Sequence, residues 1–200
     1  MEGQAQRLVE VISQARGDEH VFVVAIDGRT GTGKSTLAAA VAGLLEDCLV
    51  IDGDDFYSGG SLEEWDGRSA AEKADRVIDW QRQYALLAAL RRGERAVWFG
   101  YDWEAFDGSL LTTPTVVDPA PVIILEGAYS CRPELTGVTH LRVLVEADLD
   151  VRRRRLRARD GDDWHDAWFG RWDEAEQYYF GEVVTRNGFD LVLSGGTDVS

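Results

Sequence analysis

The chain has 200 residues, 44% of them hydrophobic and 28% charged, which suits one globular domain with a full core and excludes a disordered or fibrous chain. Its 21 basic and 36 acidic residues give a formal net charge of −15, a balance that argues against partners such as nucleic acid or an anionic membrane. Two cysteines, Cys48 and Cys131, offer neither a disulfide framework nor a zinc site and fit a reducing cytoplasm, and no apolar run approaches the ~20 residues of a membrane span.

Met1 to Arg16 reads as a short amphipathic helix (Leu8, Val9, Val11, Ile12) without the apolar core and cleavage site of a signal peptide. Val21 to Ile26 is an unbroken, β-branched apolar run of the kind that makes a buried parallel strand. Directly after it, Gly28-Arg29-Thr30-Gly31-Thr32-Gly33-Lys34-Ser35-Thr36 fits G-x-x-x-x-G-K-[ST], the phosphate-binding P-loop. Gly28, Gly31 and Gly33 free the backbone so that successive N–H groups, Thr30 and Thr32 among them, can line one concavity. Lys34 then reaches the β- and γ-phosphates of a nucleotide, the Ser35 hydroxyl ligates Mg²⁺, and Thr36 can donate to the α-phosphate. The spacing of Leu37, Val41, Leu44 and Leu45 predicts a helix over 34–46.

Cys48 to Asp52 is a second strand, with Cys48 expected in the core. It is followed by Asp54 and Asp55, whose carboxylates can accept the proton of an attacking hydroxyl or hold Mg²⁺ through water. A single long helix is predicted over 70–92, and Ala96 to Phe99 is extended, leading to Tyr101, Trp103 and Trp98 as candidate ligand aromatics. Val122 to Leu125 is a strand ending at Glu126, where P-loop enzymes place an acidic residue that supports the metal. Leu141 to Val145 is another strand, and Asp148 is placed to cap the helix after it. That helix puts Arg152, Arg155 and Arg159 on one face, a candidate phosphate clamp, and Gly161-Asp162-Asp163 reads as a hinge. A last helix, over 165–180, carries Trp168 and Trp172, read with Trp164 as core packing, and Leu191 to Leu193 closes the series. Strands alternating with helices predict an α/β fold, a parallel sheet with helices on both faces, in which ligands bind beyond the carboxyl ends of the strands.

Taken together, Ile26-Asp27-Gly28 through Thr36, Asp54-Asp55-Phe56-Tyr57, Tyr101-Asp102-Trp103, Leu125-Glu126-Gly127 and the helix ending Arg159-Asp160 resemble the uridine kinase and phosphoribulokinase group of P-loop kinases, over nearly the whole chain. The resemblance implies a P-loop NTPase kinase fold with about five strands, and one domain over 1–200. It implies a small lid near 155–167 and acceptor loops near 57–75 and 100–115. It implies ATP and Mg²⁺ as cofactors, with Ser35, Asp54 and Glu126 around the metal and Asp54 as the base. Tyr57 and Tyr101, with Asp55, would contact the acceptor, and Arg155 and Arg159 would sit on the ATP phosphates. Lys34, Asp54 and Arg159 are then the catalytic set. The chain departs from the uridine kinase pattern in having Glu104-Ala105-Phe106 where a histidine is expected, and no arginine directly after Arg159-Asp160. The acceptor is therefore left open between nucleoside-like and sugar-like hydroxyl compounds. A nucleoside monophosphate kinase and a nucleotide-binding module without turnover are the alternatives, and a homodimer is compatible with the exposed aromatics.

Overall fold

The computed structural model describes residues 1–195, and the side chains of all of these except residues 160 and 162–168. Five parallel strands form the central sheet: β1 (Phe22–Asp27), β2 (Cys48–Asp52), β5 (Val122–Glu126), β6 (Leu141–Glu146) and β7 (Leu191–Ser194), in the order β2-β5-β1-β6-β7. The central pairing runs Phe22 to Val122 through Ile26 to Glu126, so β1 and β5 end level with one another. Period-two alternation divides each strand between two cores. Phe22, Val24 and Ile26 face one side, under α1 (Glu2–Arg16) and α2 (Lys34–Ala42), where Leu8, Ile12, Leu37 and Val41 pack. Val23 and Ala25 face the other, against α5 (Trp80–Arg91) and α7 (Asp162–Tyr178), with Leu87, Leu90 and Ala175. No helix among the described residues is long and apolar enough to cross a membrane.

Several elements differ from expectation. Helix α2 stops at Ala42, where Gly43 caps it, and Leu44 is left exposed. Cys48 is only partly buried. The long helix expected over 70–92 is broken into α4 (Ala70–Arg76) and α5, because Asp79 caps α5 by accepting the Arg82 N–H at 3.1 Å. The intervening Val77 to Asp79 runs alongside the chain that follows β2: Ser58 donates to the Val77 carbonyl at 3.0 Å and Asp79 to the Phe56 carbonyl at 2.8 Å. That break fixes Tyr57 beside the ends of the strands. The preceding α3 (Leu62–Asp66) and α4 each start with a capping box, Ser61 with Glu64 and Ser69 with Glu72. The extended segment at 96 is β3 (Ala96–Trp98), which pairs antiparallel with β4 (Thr115–Val117) outside the main sheet. Asp148 precedes α6 (Leu149–Asp160) without a side-chain cap. Only Gly161, at φ 81°, separates α6 from α7, so the expected hinge is a tight helix–helix corner; the Asp162, Asp163, Trp164 and Trp168 side chains lie outside the described residues.

Candidate active site

The P-loop joins β1 to α2 at the carboxyl edge of the sheet. Gly28 has φ 150° and a Cβ there would stand 2.3 Å from the Val145 carbonyl oxygen, so no other residue fits. Gly33, at φ 96°, turns the chain into α2 and leaves the first N–H groups of that helix directed outward at its N-terminus. Lys34 is largely buried and folds back to the Arg29 carbonyl at 3.3 Å. Its charge lowers the pKa of Asp27, Asp52, Asp54 and Glu126 together, which places all four carboxylates around it.

Asp54 opens onto a cavity of about 400 Å³ and is exposed to it, flanked by the buried Gly53 and Phe56. Loss of bulk water raises its pKa, Lys34 and Arg159 draw it back, and Asp55 raises it further. Glu126 is buried; desolvation pushes it up to about 7, and the nearby Ser35 hydroxyl and Lys34 draw it back. Asp52, read from the sequence only as a strand end, also lines the cavity and rises to about 6, chiefly by burial. Tyr57, Trp103, Trp172, Tyr129, Arg159 and Glu176 complete most of the wall. Trp172, read as core, is both core and cavity wall. Thr36 and Ser35 are exposed at the start of α2.

Other expected site residues lie elsewhere. Asp55 does not face the cavity: its carboxylate accepts the Trp98 indole N–H at 2.8 Å, so Trp98, expected to be a ligand aromatic, is a buried partner of Asp55 instead. Tyr101 is 2% exposed and stands behind Tyr57, ring centroids 4.8 Å apart and edge to face. It supports the wall and does not form it. Arg155 reaches the carbonyl side of the P-loop, donating to Thr32 at 3.1 Å and to Gly195 at 3.0 Å. Arg159 faces Asp54 across the cavity.

Two buried networks hold these parts; their central carboxylates, Asp27 and Glu176, were given no role from the sequence, and Arg152, read as part of a phosphate clamp, is buried and committed to the second. Asp27, at the end of β1, accepts the N–H of Gly28 (2.7 Å), Tyr129 (2.9 Å) and Cys131 (2.8 Å) and the hydroxyl of Tyr179 (2.8 Å). Glu176 of α7 accepts the Thr30 N–H at 2.8 Å and the Thr30 hydroxyl, and pairs with Arg152 at 3.0 Å. Arg152 in turn donates to the Thr30 carbonyl at 2.8 Å. A charged residue closing an otherwise apolar strand just before the glycine loop was the available signal for Asp27. Glu176 lies 146 residues from Thr30 and gave none. On the other side of the P-loop a second cavity, about 630 Å³, is lined by Arg29, Thr32, the end of β6, Phe180, Arg186 and the end of β7.

No family model matches the chain. It is 27% identical over 165 residues to Uridine kinase-like protein 3 of Arabidopsis thaliana, an alignment that takes in 80% of this chain but spans only about a third (35%) of that protein. Its fold superposes on a structure described as a "possible uridine kinase" from Bacillus stearothermophilus, with TM-score 0.72, 20% identity and coverage of 96% of this chain and 97% of the other. It also matches D-glycerate 3-kinase from Cryptococcus neoformans, with TM-score 0.58, 15% identity and coverage of 97% and 94%. These two show the P-loop kinase fold. The uridine kinase of Deinococcus deserti is 30% identical over 147 residues that make up 70% of each chain, and on that relationship this P-loop kinase belongs to the uridine kinase family.

Proposed function

We propose that the protein transfers the γ-phosphoryl group of ATP to a hydroxyl of a small molecule, with Mg²⁺. The observation that carries this reading is the convergence of Lys34, Asp54 and Arg159 between the P-loop and the 400 Å³ cavity. The 630 Å³ cavity beside Arg29 and Thr32 receives the base and sugar of the nucleotide, and the smaller one receives the acceptor. The first described side chain on the acceptor side with the right chemistry is Asp54. A carboxylate with a raised pKa, reachable from the cavity, is suited to take the proton of the attacking hydroxyl as the oxygen bonds to phosphorus. Lys34 and Arg159 balance charge on the transferred group.

The donor set also suits Mg²⁺. The Ser35 hydroxyl lies near enough to the buried carboxyl of Glu126 to lower its pKa, with Asp52 and Asp54 close enough to raise it. Among the described residues no three carboxylate, histidine or cysteine side chains form a cage. Such a site is of the kind Mg²⁺ occupies through one or two protein groups, waters and phosphate oxygens. Ser35, with Glu126 and Asp54 behind waters, would hold the ion, which would neutralise phosphate charge.

The relatives named uridine kinase make uridine the first acceptor to try, and the cavity's aromatic wall is compatible with a nucleoside or a sugar. The test is ADP release with MgATP over a panel of nucleosides and sugars, using Lys34→Ala as the blank. Acceptor-dependent ADP release supports the reading. ATP hydrolysis that no acceptor stimulates counts against it.

A further inference from the structure

The loop between β1 and α2 is held from behind by the arginine helix. In a trans peptide the C=O and the N–H point opposite ways, so fastening a carbonyl on one side aims the next residue's N–H to the other. Arg152 donates to the Thr30 carbonyl at 2.8 Å, and Arg155 to the Thr32 carbonyl at 3.1 Å. The N–H ends of those two peptides belong to Gly31 and Gly33, at φ 83° and 96°, left-handed positions of the kind that turn backbone N–H groups into an anion-binding concavity. The peptides on either side of the first are tied through their N–H ends instead: Thr30 donates to Glu176 at 2.8 Å, and Thr32 to the Arg29 carbonyl at 3.2 Å. Helix α6 lies directly against the loop, and a Cβ at Gly31 would stand 3.0 Å from the Arg152 carbonyl oxygen.

Both arginines are committed to these carbonyls. Arg152 is 3% exposed and pairs at 3.0 Å with Glu176, which is itself buried and also takes the Thr30 hydroxyl. Arg155 gives its other amino group to the Gly195 carbonyl at 3.0 Å. A carbonyl turned away from the phosphates and out of bulk water needs a donor, and a guanidinium supplies several in fixed directions. Contact with a phosphate would require these bonds to be given up. We propose that Arg152 and Arg155 are positioning residues that touch no phosphate: they favour nucleotide binding by holding the Thr30–Gly31 and Thr32–Gly33 peptides with their N–H ends toward the phosphates, and Glu176 holds Arg152 in place. This rests on the kinase reading above in one respect, that the loop binds nucleotide.

The test compares the full wild-type chain with Arg155→Met and with the double variant Arg152→Met, Glu176→Met, which removes the buried ion pair as a whole. Calorimetry with Mg²⁺ and the non-hydrolysable imido analogue of ATP reads affinity. Amide hydrogen exchange over 28–36, in the nucleotide-free protein, reads the loop itself. Both variants bind the analogue about five- to fiftyfold more weakly, most of the worth of one charge-assisted hydrogen bond. Both also exchange faster over 28–36 before any nucleotide is added. Weaker binding with unchanged exchange would mean that the arginines act on the phosphates directly, and would overturn the proposal. Unchanged affinity in either variant, the mark of a purely structural residue, would overturn it as well. A wild-type chain that binds no nucleotide would instead overturn the kinase reading, and this proposal with it.

Discussion

Asp27 is the junction on which both halves of the site depend, and Asp27→Asn measures it. The carboxylate takes two donors on Oδ1, from Gly28 and Tyr129, and two on Oδ2, from Cys131 and Tyr179. An asparagine that keeps its oxygen on the Oδ1 side retains the first two. Its amide nitrogen then faces the Tyr179 hydroxyl, which can turn and accept, and the Cys131 N–H, which cannot. One buried N–H is left without an acceptor, at a cost of about 1–3 kcal/mol, and the two retained bonds lose the assistance of a full charge. Against this, the neutral amide escapes the desolvation that dominates the raised pKa of Asp27. The net loss is about 2 kcal/mol, or about 4–8 °C in melting temperature for a domain of this size. Thermal and urea unfolding of the two proteins side by side read the difference. A change below about 0.5 kcal/mol would show that the four bonds do not act as a buried junction, and the reasoning would fail.

The remaining predictions concern separate parts of the site. Glu176→Ala leaves the buried guanidinium of Arg152 with the Thr30 carbonyl and, as a carboxylate partner among the described residues, Asp173 at 3.4 Å, and should cost about 3–5 kcal/mol by urea unfolding. The double variant Arg152→Met, Glu176→Met should recover most of that loss. Gly28→Ala should abolish nucleotide binding in calorimetry, since its Cβ would meet the Val145 carbonyl at 2.3 Å. Asp55→Asn should lower the melting temperature through the Trp98 contact and leave the acceptor KM within about twofold; a large KM change would return Asp55 to the acceptor site. Glu126 titrates at about 7 in the fold against an unfolded value near 4.3, so the folded chain holds the extra proton between those values. Its contribution to the stability of the nucleotide-free protein is greatest below about pH 4 and is lost as pH rises towards 7. The stability difference between wild type and Glu126→Gln should therefore shift against wild type as pH goes from 5 to 8, and a difference constant with pH would contradict the placement.

The sheet was legible because its strands are apolar runs with polar ends, and the P-loop because its glycines and Lys34-Ser35 answer to a backbone requirement that few other structures share. Asp54 and Glu126 could be read because each follows a strand end, where parallel sheets bind ligands. The break at Val77 to Asp79 was missed because the spacing of Val77, Trp80, Tyr84 and Leu87 continues across it, while the pairing of Val77 and Asp79 with Ser58 and Phe56 is tertiary. Asp55 and Asp54 are neighbours with opposite directions, and only the position of Trp98, 43 residues on, decides which one meets the cavity. Arg152 and Arg155 share a helix face in the sequence, and only the folded chain turns that face to the carbonyls of Thr30 and Thr32.

The most direct test of the central claim follows phosphoryl transfer from γ-labelled ATP to uridine and the other nucleosides and sugars of the panel in Mg²⁺, comparing wild type with Asp54→Asn. The account predicts a labelled acceptor with wild type, and with Asp54→Asn a rate lower by about 10²–10⁴ at unchanged ATP affinity. An Asp54→Asn enzyme at full rate, or label released only as inorganic phosphate by wild type, would contradict it.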